Sequence, residues 1–358
     1  MVSIKDIAEK AGVSRGTVDR VLHGRGRVSE ETAERIRAIA EELEYAPSEA
    51  GMALAAHKKK IRLGFIYVEG EMAPFYRPVE AAAREKAREL EQYGAEVVFY
   101  PLVFSEQPEK DIQRMRGMIR KDWDTVQGWA MPGLSAGFME KIFPERRSPE
   151  EKKNVVYYNL DAEERPGWSR IGYVGCDYEH AGRIACGLTA RMTGSRGKVL
   201  FVTADDGTIS SSAMRIRGFE KAMEADYPGM SICDRIFTEN LNFNAAGVVS
   251  VRKIRENPDI TAVYIANPGN YTICERLQEA AAGTPGRKLV IITNDLIDAD
   301  QERMLREGII TATICQEPER QGARPLQILF DKIAYGKDPA TDWEKTDLEI
   351  IIGESLPE

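Results

Sequence analysis

From Ile61 onward, short apolar runs alternate with amphipathic stretches, and this alternation restricts the fold more than any other feature of the chain. The runs include Ile61 to Val68, Glu96 to Val103, Asn154 to Asn159, Lys198 to Thr203, Ala262 to Ala266 and Leu289 to Thr293. Between them lie helical patterns at Val79 to Leu90, Ala181 to Met192, Ala213 to Ala225, Ala245 to Glu256 and Ile273 to Ala282. Strands that are apolar throughout are buried on both faces, and strand-helix alternation returns the chain in parallel sense. The expectation is an α/β body of parallel sheets with helices on both faces. Its length exceeds that of one ordinary domain, so two α/β lobes are expected.

The N-terminal segment has a different pattern. In Ser3 to Ala11, Ser3 and Asp6 suit a capped start, and Ile4, Ile7, Ala8 and Ala11 recur at helical spacing. Beyond Gly12 and Val13, Ser14 can cap a second short helix by accepting from a backbone N–H one turn in. Val18, Val21 and Leu22 then share one face, with Arg15, Gly16, Asp19 and Arg20 on others. Two short helices joined through a glycine make a helix-turn-helix, although any two amphipathic helices with this spacing look alike. His23 to Arg27 follows as a turn whose Arg25 and Arg27 are available to phosphates or simply to solvent. Ser29 opens a third helix carrying Ile36, Ile39, Ala40 and Leu43, which ends before Pro47. Residues 48–57 are too poor in large apolar side chains for an independent helix and read as a linker; Lys58 to Lys60 marks the boundary with the body.

The residues themselves are more specific than their spacing. Ile4-x-Asp6-Ile7-Ala8-x-x-Ala11-Gly12-Val13-Ser14-x-x-Thr17-Val18-x-Arg20-Val21-Leu22, then Val28-Ser29-x-Glu31-Thr32 and Leu43-x-Tyr45-x-Pro47, resembles the headpiece of the lactose-repressor (LacI/GalR) family. The resemblance implies a DNA-binding headpiece at 1–47, with Ser14, Arg15, Gly16, Thr17 and Arg20 on the operator beside Arg25 and Arg27. It also implies a hinge helix within 48–60 that forms when two protomers sit on the operator, Leu54 being wedged into a central minor-groove step. Gly51 departs from that pattern, since a helix-interior glycine costs up to ~1 kcal/mol. Asp19 stands where relatives often carry a phosphate-contacting serine.

In the body the resemblance, weaker by motif, is to the periplasmic sugar-binding fold of the same family, residues 61–358 forming an effector-binding and dimerisation unit. Such chains cross between lobes three times, and crossings near Cys176–Asp177, Gln316 and Asp338–Ala340 would fit. One lobe would hold about 61–176 and 317–338, the other about 177–316 and 339–358. Arg215, Asn267, Asp295 and Gln316 match effector-contacting positions. An arginine fork suits hydroxyls or a carboxylate, and polar groups at strand carboxyl ends face the crevice of open α/β sheets. Asn267 could instead cap the following helix. Phe75 and Tyr76, with Phe243, match the aromatic walls of pentose binders, where flat rings stack on sugar faces. Asn159 replaces their aspartate and Leu160 their following arginine, which points to a ligand other than ribose. Trp129 could face either the cleft or a core.

Composition narrows the function. The formal charge is −8, but residues 1–28 hold six lysines and arginines against three acidic residues, a local +3 that leaves −11 for the rest. A basic tip on an acidic body suits a regulator touching double-stranded DNA at one end. The five cysteines form no Cys-x-x-Cys pair, so neither a disulfide framework nor a zinc ribbon is suggested. Cys176, Asp177, Glu179 and His180 do not amount to a metal site, Gly194 to Lys198 has the wrong spacing for a phosphate loop, and no nucleophile is activated. No catalytic residue, metal or cofactor is expected, and no membrane span approaches ~20 apolar residues. The start lacks an export leader, which suggests a cytoplasmic, nucleoid-associated protein; no leucine-heptad tail follows Leu348 to Ile352, so a homodimer is expected. The expected function is a transcriptional regulator, a repressor, that binds a palindromic operator and is gated by a small sugar-like effector. The alternatives are a transport-type solute receptor and an α/β enzyme.

Overall fold

The computed structural model describes residues 4–22, 28–43, 59–70, 74–103, 107–145, 151–203, 211–238, 243–267, 269 and 271–357, the side chains of Glu41 and Phe243 excepted. Arg25, Arg27 and Leu54 lie outside them. Three helices open the chain: α1 (Ile4–Ala11), α2 (Arg15–Leu22) and α3 (Glu30–Glu42). Ser14 Oγ accepts the Thr17 backbone N–H at 3.1 Å and so caps α2. Gly12 turns the chain between α1 and α2 at φ +67°, a conformation that costs other residues more, while the Val13 N–H donates back to Ala8 at 3.0 Å. Ile7, Ala8, Ala11, Val18, Val21, Ala33, Ile36 and Ala40 form one closed core. With that face consumed, Ser14, Arg15, Gly16 and Arg20 are left exposed.

The body consists of two six-stranded sheets. The first contains β1 (Ile61–Glu69), β2 (Ala95–Val103), β3 (Gly128–Pro132), β4 (Lys153–Tyr158), β5 (Trp168–Gly175) and β11 (Trp343–Lys345), in the order β11-β5-β4-β3-β1-β2 and parallel throughout. Helices α4 (Tyr76–Glu91), α5 (Pro108–Asp122), α6 (Ala136–Ile142) and α12 (Pro318–Tyr335) belong to it. The second contains β6 (Gly197–Thr203), β7 (Met230–Phe237), β8 (Ile260–Ile265), β9 (Val290–Asn294), β10 (Ala312–Cys315) and β12 (Glu349–Ile351), in the order β12-β10-β9-β8-β6-β7. Only β12 is antiparallel. Its helices are α7 (Tyr178–Thr193), α8 (Ser211–Asp226), α9 (Phe243–Glu256), α10 (Ile273–Ala282) and α11 (Ala299–Arg306). Each sheet has a core on either face, as parallel strands require. Trp129 belongs to the first lobe's core, fully buried against Tyr100, Trp123 and Phe143.

Four strands escaped the sequence pattern, among them the buried Gly128–Pro132 and the three-residue Trp343–Lys345. Trp168–Gly175 and the edge strand Met230–Phe237 mix buried and half-exposed positions, so neither presents a continuous apolar run.

The chain passes between lobes after β5, after β10 and after β11. The third crossing corrects the expectation of Asp338–Ala340, because Trp343–Lys345 first pairs with Tyr173–Gly175 and the chain leaves only at 346–348. Trp343 anchors that pairing, its Nε1 donating to the Gly175 carbonyl at 2.9 Å. The three crossings are bonded to one another. The Thr346 N–H donates to Gly175 at 3.2 Å, the Asp347 N–H to Glu317 Oε2 at 2.7 Å, and Cys176 Sγ to Gln316 Oε1 at 3.4 Å. No helix among the described residues is long and apolar enough to cross a membrane.

Helices α4 and α12 approach through Gly322, where an added Cβ would lie 2.0 Å from the Val79 carbonyl oxygen. Gly322→Ala is expected to force these helices apart and cost about 1–3 kcal/mol, the usual penalty of overpacking. Urea denaturation measures it; an unchanged midpoint would mean that the helices separate freely.

Candidate functional site

The strands of the two lobes end on a shared polar cluster. Three non-glycine residues just beyond strand ends adopt left-handed backbone: Asn159 after β4 (φ +59°), Asp295 after β9 (φ +61°) and Glu317 two residues after β10 (φ +52°). Such conformations persist where the surroundings over-determine them, as at binding sites. For Asp295 those surroundings are explicit. Its N–H donates to Ile314, and its carbonyl accepts from Gln301 Nε2 at 2.7 Å and Thr313 Oγ1 at 2.9 Å.

Arg215 is the largest charged group inside the body, only 1% exposed on α8. Glycines bring it there. A Cβ on Gly182 of α7 would fall 1.8 Å from the Arg215 carbonyl oxygen, and one on Gly218 of α8 1.9 Å from that of Glu179, so α7 and α8 pack nearly backbone to backbone. Arg215 Nη1 donates to the Ala266 carbonyl at 3.1 Å, and its guanidinium lies 4.8 Å from the centroid of the Tyr178 ring. Burial opposes its charge, but Asp295 outweighs burial together with the surrounding tyrosines and Cys176, and its pKa is raised.

Asp295 is 2% exposed, and its Oδ2 accepts from Gln316 Nε2 at 2.9 Å. Burial pushes its pKa up to about 6, against the opposing pull of Arg215 and the Gln316 hydrogen bond. Among the described residues, Asp295 Oδ1 and Arg215 Nε have no hydrogen-bond partner although both are buried. Each such atom costs about 1–3 kcal/mol unless something bonds to it. One acceptor and one donor in the same site are what a hydroxylated ligand satisfies.

Asn267, one residue beyond the carbonyl that receives Arg215, is 5% exposed, and Gln316 is 1% exposed. Gln316 is held from α12 by Gln321, whose Nε2 donates to its carbonyl at 2.8 Å. From the first lobe, Tyr76 donates to Asn159 Oδ1 at 3.2 Å. Tyr173 and Tyr178 both donate to the Asn159 carbonyl, at 2.7 and 2.6 Å. Phe75 is 5% exposed, packed in the core and edge-on to Tyr76, so Tyr76 is the ring of that pair brought to Asn159. Phe243 begins α9, with its side chain outside the described residues. Cys176 adjoins the cluster, and burial pushes its thiol up to about 12, which keeps it protonated. A groove of about 850 Å³ opens alongside, lined by Leu160 and Trp343 from one lobe and Tyr178, Arg183 and Met214 from the other.

The structure thus joins Tyr76, Asn159, Arg215, Asp295 and Gln316 through a few hydrogen bonds and charges. Sequence reasoning missed Tyr178, Tyr173 and Gln321. An aromatic next to a helix cap reads as core, and a glutamine one turn into α12 carries no signal until Gln316 is seen beneath it.

On α2, Arg20 Nε donates to the Gly16 carbonyl at 3.1 Å, and Arg15 and Arg20 both reach solvent. Ser14 Oγ and Thr17 Oγ1 lie 2.9 Å apart at the helix start. This is an exposed polar face on a short helix, of the kind that enters a major groove. Among the described residues, no group of three His, Cys, Asp or Glu could hold a metal ion.

Comparison with known proteins agrees with this division. Residues 3–48 match the family described as bacterial regulatory proteins, lacI family, and residues 150–338, more than half of the chain, match a periplasmic binding protein domain. The ribose operon repressor of Bacillus subtilis (strain 168) is 28% identical over 207 residues, 58% of each chain. This chain therefore spans little more than half the length of that relative. Catabolite control protein A of Priestia megaterium is 25% identical over 268 residues, 74% of this chain and 73% of its own. Among solved structures, GanP, a glucose-galactose binding protein from Geobacillus stearothermophilus, superposes with a TM-score of 0.65 at 24% identity, over 84% of this chain and 100% of that one. An exposed reading helix at one end and a polar interlobe cluster in the body meet in a single chain, which belongs to the lacI family of bacterial regulatory proteins and carries a periplasmic binding protein domain as its body.

Proposed function

We propose that this protein is a cytoplasmic transcriptional repressor that binds a palindromic operator as a homodimer and is gated by a small sugar-like effector held between its lobes. It acts by coupling two binding sites and catalyses no reaction. The observation that carries the reading is the pair of buried polar atoms without partners among the described residues, Arg215 Nε and Asp295 Oδ1, in a chain whose other end presents an exposed basic helix. Sugars bring adjacent donors and acceptors, and related proteins are named for ribose, allose, glucose and galactose. In this reading Arg215, Asn267, Asp295 and Gln316 take the hydroxyls, with Asn159 and Tyr76 closing from the first lobe and Phe75 supporting Tyr76. Phe243 supplies a second wall. Ser14, Arg15, Gly16, Thr17 and Arg20 read the operator, Arg25 and Arg27 contact phosphates, and Leu54 wedges the central step.

One helix supports a route between the two ends. The first turn of α12 holds Gln316 through Gln321, and at its other end the carbonyls of Ile333 and Ala334 accept from Lys59 Nζ at 2.8 and 2.6 Å. A cation on the last carbonyls suits the helix dipole. Lys59 closes the segment that leads to the headpiece, so a tilt of α12 on lobe closure pulls on that segment. The effector shifts this equilibrium only by its difference in affinity for the two arrangements.

A thermal-shift screen of D-ribose, D-allose, D-glucose and D-galactose, followed by calorimetry on any hit, tests the effector reading. Asp295→Ala should weaken the hit ten- to a hundredfold, about 1.5–3 kcal/mol for a charged hydrogen-bond partner, and leave DNA binding without effector intact. Unaltered affinity would remove Asp295 from the site. Affinity should fall as pH drops through about 6, because protonation takes away the acceptor that the ligand needs. Binding then releases a proton near that pH, and affinity levels off at neutral pH; a flat profile would mean that the ligand does not use the carboxylate.

Arg20→Ala should lower discrimination between operator and scrambled DNA by about 1–3 kcal/mol at fixed salt. An unchanged ratio of affinities would exclude Arg20 from base readout.

A further inference from the structure

We propose that Tyr178 is a cross-lobe positioning residue: its ring holds Arg215 in the second lobe while its hydroxyl grips the first lobe at the Asn159 carbonyl, biasing the unliganded protein towards closed lobes. The part concerning Arg215 rests on the effector reading above; the part concerning closure does not.

Tyr178 is the first residue of α7, directly after the crossing at Cys176–Asp177. Its start is rigidly set, because Asp177 Oδ1 accepts the His180 N–H at 3.0 Å as the helix cap and Oδ2 pairs with Lys345 at 3.4 Å. From there the side chain points back across the crossing. It is 3% exposed, its hydroxyl lies 2.6 Å from the Asn159 oxygen, and Arg215 stands 4.8 Å from its ring centroid. Asn159 is itself held in left-handed backbone, with its Oδ1 bonded to Tyr76 at the front of α4. One phenol therefore connects the arginine of one lobe to the strand end and first helix of the other. Opening the lobes must break the bond from its hydroxyl, and a displaced ring would release the guanidinium as well.

The molecule contains its own control. Tyr173 of β5 donates to the same carbonyl at 2.7 Å, but it lies in the same lobe as Asn159. The two hydroxyls are chemically alike, and both are bonded to one acceptor. Of the two donors to that carbonyl, only Tyr178 reaches it from the other lobe, while the Tyr173 hydroxyl also meets that of Tyr178. Loss of either leaves the Asn159 oxygen with one donor, so neither Phe variant orphans a buried acceptor.

The experiment compares Tyr178→Phe, Tyr173→Phe and wild type as full-length unliganded protein, by small-angle scattering for lobe separation and thermal unfolding for stability. One buried hydrogen bond shifts an equilibrium about fivefold, so Tyr178→Phe should raise the open-to-closed ratio by about that factor and enlarge the radius of gyration. Tyr173→Phe should lower the melting temperature without opening the lobes. A second arm uses D-ribose, D-allose, D-glucose and D-galactose as probes. Any probe that binds wild type should bind Tyr178→Phe more weakly, by at most about fivefold, and return its radius of gyration to the wild-type value at saturation, since the ring that supports Arg215 is retained. Tyr178→Ala, lacking the ring, should lose more affinity than Tyr178→Phe. The proposal is overturned if Tyr178→Phe scatters like wild type, or if Tyr173→Phe opens the lobes equally. Should no probe bind wild type, the choice of sugars as effectors fails, while the unliganded arm still decides the role of Tyr178.

Discussion

Keeping Arg215 charged while it is almost wholly buried is the constraint on which the body's design depends. Taking a guanidinium out of water costs several kcal/mol unless neighbours replace the lost solvation. Here the replacements come from separate parts of the chain: the Ala266 carbonyl at the end of β8, the Tyr178 ring at the start of α7, and the Asp295 carboxylate beyond β9. None of them saturates it, since its Nε remains without a partner among the described residues, as does Asp295 Oδ1. Such a cluster is stable enough to form yet leaves two buried polar atoms unsatisfied.

The same economy governs the junction between the lobes. Three crossing strands alone would be a loose hinge, but backbone and side-chain bonds join them, and Glu344 adds ion pairs to Arg320 and Arg324 on α12. With these pairs only partly shielded from solvent, each is worth little by itself. Together with Gln321 on Gln316 they give α12 a defined start beside the interlobe polar cluster, and Lys59 gives it a defined end. The helix is thus tied at both ends, to the second lobe's strand end through Gln316 and to Lys59 on the headpiece side.

Much of this was legible in the residues. The α/β alternation, the three-helix headpiece and the strand-end positions Asn267, Asp295 and Gln316 follow from periodicity, capping and motif, because local pattern and family motif report directly on local geometry. The errors arose where the pattern was thin. Trp343–Lys345 is three residues long, and nothing local says that it joins the first sheet, so the third crossing falls several residues later than the sequence suggests. Phe75 and Tyr76 are adjacent aromatics, and only packing decides that the first enters the core while the second meets Asn159.

What the sequence by itself determined was the kind of object: a helix-turn-helix with its apolar face consumed and its polar face exposed, followed by two α/β lobes with polar groups at strand ends. These properties belong to the spacing of residues within one element. The tertiary structure alone decided which distant groups share a charge environment. Asp295 has a carboxyl shifted to about 6, and Tyr178 a hydroxyl on the opposite lobe, only because β4, α7, α8 and β9 converge. Desolvation and cross-lobe bonding depend on distances in space, and no periodicity along the chain encodes them.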